Sequence, residues 1–101
     1  MIKGVGERIK QLRIEHELTM EMLVADVNQK YLVELEKPLN KSMVSRWESD
    51  INNPSLQSAK CLCDYFNVSL DYLIGVTENR TPAHLLAYAK RFAEIKKGEK
   101  L

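Results

Sequence analysis

Three observations predict an all-α fold. Apolar residues recur at three- and four-residue spacing almost throughout the chain, the period of a helix with one buried face. No stretch alternates apolar and polar residues as a half-buried strand does. Proline and glycine are scarce, three and four in 101 residues, so few points interrupt the helical pattern. With 45% hydrophobic and 29% charged residues, the composition is globular rather than disordered. The length suits one core and not two.

A first helix is expected from Val5 to Glu17, with Val5, Ile9 and Leu12 facing inward. Thr19 is a suitable N-cap for a second helix, and Glu21 in its first turn favours the dipole. Leu23, Val27, Tyr31 and Leu35 then repeat every four residues. This predicts that the second helix continues beyond Asn28 to a point between Tyr31 and Glu36, with Pro38 as its latest stop. Asn40 caps a third helix that ends near Ser49. In "INNPS" either Asn53, with Pro54 at the first helical position, or Ser55 caps the fourth helix. That helix is expected to turn Leu56, Ala59, Leu62, Cys63 and Phe66 inward. Ser69 caps a short fifth helix, with Val68 and Leu73 as its hydrophobic staple and Gly75 at its left-handed end. "VTENRT" reads as a polar connection. Thr81-Pro82 opens a sixth helix with the stripe Leu85, Tyr88, Ala89, Phe92 and Ile95. The division expected is a domain over 1–75, with an extended second helix or turn at about 29–38, and a C-terminal linker and helix over 76–101 as a dimerisation segment.

Bulk properties exclude several classes. The formal net charge is +1, so any binding to an acidic polymer must come from local placement of charge. The chain opens without an apolar run of signal-peptide length, and no segment approaches the length of a membrane span. A cytoplasmic location is expected. Cys61 and Cys63, two apart on one helix, point to nearly opposite sides and cannot bridge each other; Cys63 is expected inside and Cys61 nearer the surface. His16 and His84 have no matched acid close in sequence and suit surface or capping places. Met20 and Met22 read as partly buried fillers. No nucleophile elbow, phosphate loop or paired metal-ligand motif is present. Neither an enzyme nor a cofactor nor a metal is expected.

The informative stretch is "LNKSMVSRWESDINNPS", residues 39–55. On a helix, Val44 and the only tryptophan, Trp47, point one way, while Ser42, Arg46 and Ser49 point the other. Between Lys37 and Trp47 the charges are Lys37, Lys41 and Arg46, with no acid. Small residues at Ser42, Ser45 and Ser49 allow close approach to another surface. Arginine can pair with guanine O6 and N7, serine can bond to several base edges, and a helix N-terminus favours phosphate. This chemistry suits insertion into a DNA major groove.

The stretches "VGERIKQLRIEHELT", "KSMVSRWESDINNPSL" and "YFNVSLDYLIG", in this order, resemble the helix-turn-helix domain of phage repressors and Cro-type bacterial regulators. The resemblance covers roughly Val5 to Gly75. It implies a compact five-helix, lambda-repressor-like domain with an additional C-terminal helix, whose third helix lies in the major groove. The family's base-reading positions fall on Lys41, Ser42 and Arg46, with Met43 and Ser45 alongside. Asn40, Asn52 and Asn53 are left to contact phosphate. Arg13 and Glu48 resemble the family's structural ion pair, which with Val44 and Trp47 would hold the reading helix. The implied function is a sequence-specific, double-stranded-DNA-binding transcriptional regulator of the phage-repressor type, a homodimer through its last helix, without the self-cleaving peptidase domain some repressors carry. A protein-interaction module on the same fold, such as an antitoxin, is the alternative. The sequence departs from the family in two places. About ten extra residues, Gln29 to Pro38, separate the second and third helices, and Met20 stands where a polar phosphate contact is usual.

Overall fold

The computed structural model describes residues 4–82 and residue 85. Five α-helices follow one another: α1 (Val5–Glu15), α2 (Met20–Lys30), α3 (Lys41–Glu48), α4 (Leu56–Phe66) and α5 (Leu70–Leu73). Among the described residues there is no strand. The sixth helix expected from the sequence, with His84 and most of its stripe, lies outside the described residues.

Four helix starts carry a side-chain cap. Thr19, Asn40, Ser55 and Ser69 accept from the backbone amides of Met22, Met43, Ser58 and Tyr72. Each cap satisfies one of the donors that a first turn leaves unpaired. Ser55, not Asn53, starts α4. Four ends are also alike. After α1, α3, α4 and α5 the chain enters the left-handed region at Glu17, Asp50, Asn67 and Gly75. The following amide then bonds back five residues, as from Leu18 to Arg13 and from Ile51 to Arg46. This closure satisfies the last carbonyls and reverses the chain sharply.

One face of each helix meets a single core. Ile9 and Leu12 of α1, Leu23 and Val27 of α2, Val44 and Trp47 of α3, Leu62 and Phe66 of α4, and Leu73 of α5 are all buried in it. Val68, just before the cap of α5, and Leu73, its last residue, are both buried, as a staple requires.

The structure corrects four expectations. The first helix ends at Glu15, two residues early, because the left-handed turn at Glu17 closes it. The second helix ends at Lys30 and does not reach Tyr31. Tyr31 leaves helical geometry at φ −119° and ψ 35°, and one separate turn follows, with the Leu35 amide on the Tyr31 carbonyl. That turn keeps Tyr31 and Leu35 against the core without a continuous helix. Leu56 is 75% exposed. It occupies the first turn of α4, at the rim of an open groove shared with Leu70 and Pro82, rather than the inner face. Cys61 is buried like Cys63. The chain after α2 approaches its thiol closely enough for Glu34 to act on it. Burial raises both thiols above their ordinary value, Cys63 to about 11.

Candidate nucleic-acid interface

An eight-residue helix has little stability of its own, so α3 must be held by its neighbours. Asn40 starts it and the left-handed turn at Asp50 ends it. Val44 and Trp47 sink into the core at 0% and 4% exposure. Deleting a buried aromatic of this kind costs about 3–5 kcal/mol.

Two contacts with α1 then orient it. Gly6 packs so close to the last turn of α3 that a β-carbon there would overlap the Trp47 carbonyl. Two turns further along α1, Arg13 forms a two-pronged ion pair with Glu48. Its Nε donates to Glu48 Oε2 at 2.8 Å and its Nη2 to Glu48 Oε1 at 2.9 Å. Arg13 Nη1 also donates to the Leu18 carbonyl at 2.8 Å. Both side chains are nearly buried, at 12% and 4% exposure. The bond to Glu48 pushes the Arg13 guanidinium above its ordinary pKa, with burial acting in the opposite sense. A buried pair adds little net stability but fixes geometry, because a planar fork tolerates one arrangement. Glu48 is thereby committed inward, and its charge is paired behind the exposed face of α3.

The opposite face of α3 is open. Lys41, Ser42, Arg46 and Ser49 are exposed, and Ser45 is half-buried at the edge. Met43 is half-buried and packs against the core, so it presents only part of its side chain. Lys41 stands 3.7 Å from Glu21 of α2, both side chains being largely exposed. Asn40 uses its side-chain oxygen to cap Met43 at 2.9 Å, which leaves its amide donor for another partner. Asn52 and Asn53 are exposed in the loop beyond α3. The exposed side chains on this face of α3 are thus one arginine, one lysine and small hydroxyls; Lys41 and Ser42 stand in the first turn, where the helix dipole is positive, and Arg46 in the last.

The insertion is held in place. Asn28, near the end of α2, donates to the Leu39 carbonyl at 2.9 Å and accepts from the Leu39 amide at 2.7 Å. This pins the residue before the α3 cap. Leu35 and Leu39 are buried, while Leu32 and Val33 stand out at 70% and 92% exposure. Sequence reasoning did not find Gly6, the Asn28 bridge or the Glu21 contact. A glycine in the first turn of α1 and an asparagine before a break were the available signals.

His16 is a surface histidine with a fixed ring. Its Nδ1 lies 2.8 Å from the Leu12 carbonyl, and its edge meets Phe66 at 4.9 Å. No helix among the described residues is long and apolar enough to cross a membrane.

A short helix displayed by two others, pinned from behind and open in front, defines a helix-turn-helix protein. The sequence model of the helix-turn-helix family matches residues 9–73. The chain belongs to that family, of the Cro type, and DNA-binding transcriptional regulation is its functional class. It is 30% identical over 88 residues to the uncharacterised HTH-type transcriptional regulator YobD of Bacillus subtilis (strain 168), a match covering 87% of this chain and 70% of that one. It is 31% identical over 73 residues to the HTH-type transcriptional activator BcrR of Enterococcus faecalis, covering 72% of this chain but 31% of that one.

Proposed function

We propose that this protein is a sequence-specific regulator of the phage-repressor type, which reads the major groove of double-stranded DNA with α3 and binds as a cytoplasmic homodimer. The observation that carries the reading is the division of α3. Val44, Trp47 and Glu48 are buried or paired behind, and Arg46 and Ser42 are free to meet base edges in front. Arg46 pairs with a guanine, Lys41 and Ser42 read beside it, and Ser45 and the exposed part of Met43 complete the contact. Asn40, Asn52 and Asn53 bond to phosphates and set the register. Dimerisation, through the C-terminal helix expected within 76–101, places two such helices on half-sites about one DNA turn apart. Repression follows where the occupied site overlaps a promoter.

Selection of bound sequences from random duplex DNA tests this reading, the expected product being a palindrome. On the selected site, Arg46→Ala should cost about 1–3 kcal/mol and relax discrimination at one base pair. Unchanged specific binding by that variant would refute the orientation. A reporter with the site across its promoter reads the sign of regulation; increased transcription would make the protein an activator.

A further inference from the structure

The connection from α5 to Pro82 contains no fully buried apolar side chain, yet it is tied down along its length. At its start, Arg8 of α1 donates to the Thr77 carbonyl and to Glu78 Oε1, both at 2.9 Å. In the middle, Ser69 donates from its amide to the Arg80 carbonyl at 2.8 Å and from its hydroxyl to the Asn79 carbonyl at 3.2 Å. Near its end, Arg80 forks onto Glu15 of α1 with two bonds of 2.8 Å. That bond, opposed by a smaller desolvation effect, holds the Glu15 carboxyl below the usual range. The Tyr72 ring meets both guanidinium groups, with its centre 4.1 Å from Arg8 and 5.0 Å from Arg80. Inside the strap, the Asn79 amide bonds to Thr77 Oγ1 and the Thr81 amide to Asn79 Oδ1.

Arg8 makes the arrangement hard to dismiss as ordinary solvation. It is 1% exposed, and its Nε is buried with no hydrogen-bond partner among the described residues. Burying a guanidinium with one N–H unpaired is costly. The arginine ties the chain beyond α5 back onto α1.

We infer that this strap is a spacing device. It fixes the point and direction at which the chain leaves the DNA-reading domain at Pro82, and so sets the half-site separation that a dimer accepts. The inference rests on the dimer proposed above. A free polar chain of about seven residues has a root-mean-square span of roughly 15 Å, about four base-pair steps at 3.4 Å each. Two domains on such tethers would accept many spacings with similar affinity. Two strapped domains accept few, because avidity is lost when the geometry forbids both sites being filled together.

The experiment uses the full chain and a duplex library carrying two half-sites with spacers of graded length. The variants are Glu15→Ala and Arg80→Ala, whose side chains are partly exposed, with mass by light scattering and affinity for a single half-site measured alongside. The wild type should prefer one spacing by about tenfold or more over neighbours two to three base pairs away. Both variants should narrow that preference to within about threefold, at unchanged dimer mass and unchanged single-half-site affinity. A flexible insert of Gly-Ser repeats between Thr81 and Pro82, which leaves the ion pair intact, should do the same and does not depend on either variant folding. A dimer whose spacing preference survives both the variants and the insert overturns the strap and leaves the dimer standing. A wild type that is monomeric alone and on DNA overturns both.

Discussion

Gly6 shows how a single residue sets the position of α3. Its missing side chain lets the first turn of α1 lie against the Trp47 carbonyl, and a β-carbon would also come within 2.7 Å of Asp50 Oδ1. Alanine is favoured over glycine in a helix by about 1 kcal/mol. The overlap, however, is with backbone, which cannot rotate away, and overpacking of this kind costs about 1–3 kcal/mol or more. We expect Gly6→Ala to lose about 1–2 kcal/mol in denaturant unfolding, and to weaken DNA binding even where the domain remains folded, because α3 must tilt. Equal or higher stability would show that α1 and α3 slide freely. The inward places of Val44 and Trp47 were legible from their period, because a helix with one apolar stripe has one way to bury it. Gly6 was not, since its role lies in a contact with a carbonyl some forty residues away. Arg8 was unreadable for the opposite reason. A charged residue on an amphipathic helix reads as solvated, and its burial at 1% exposure depends on a connection folding back over it.

At the scale of elements, the caps were readable and the terminations were not. Ser, Thr and Asn declare a helix start through a local side-chain bond, and Thr19, Asn40 and Ser69 all act that way. The left-handed ends at Glu17 and Asp50 carry β-carbons, each at a cost of about 1–2 kcal/mol; of the four, Gly75 alone was expected from its type. The end of α2 was misread because a four-residue spacing does not require an unbroken helix. After the break at Tyr31, one turn from Tyr31 to Leu35 restores the spacing. What replaces helical continuity is Asn28, whose side chain bonds both the amide and the carbonyl of buried Leu39. Removing one side of a buried hydrogen bond costs about 1–3 kcal/mol for each group stranded. Asn28→Ala should therefore destabilise by about 2–4 kcal/mol and speed amide exchange at Leu39. If exchange there is already as fast as in an unfolded peptide, the insertion is not pinned and this account of α3's entry fails.

For the whole molecule, charge decides how it holds DNA. With a net charge of +1, the protein has no general attraction for a polyanion. On the proposed reading face the cations are Lys41 and Arg46, and Lys41 already shares its charge with Glu21 at 3.7 Å. The phosphate contacts proposed for Asn40, Asn52 and Asn53 are neutral and release no counterions. Lys41 and Arg46 are assigned to base edges, yet each cation held in the groove displaces about one counterion, so two per half-site give a dimer a slope of about −4 at most for log K against log salt. Affinity should then fall about a hundredfold between 50 and 200 mM salt, where six to ten contacts would lose about 10³ to 10⁵. A monomer on one half-site should show a slope of about −2. Fluorescence anisotropy on the selected site across a salt series measures this directly, and mass in solution checks which state is being titrated. A slope steeper than about −6 would place further lysines and arginines on phosphate and refute the picture of a neutral, amide-based grip. A shallow slope leaves the bulk of the affinity to base contacts and to pairing of the two domains. Both depend on geometry rather than charge, so loosening α3 or its spacing should weaken binding more than removing any one surface lysine.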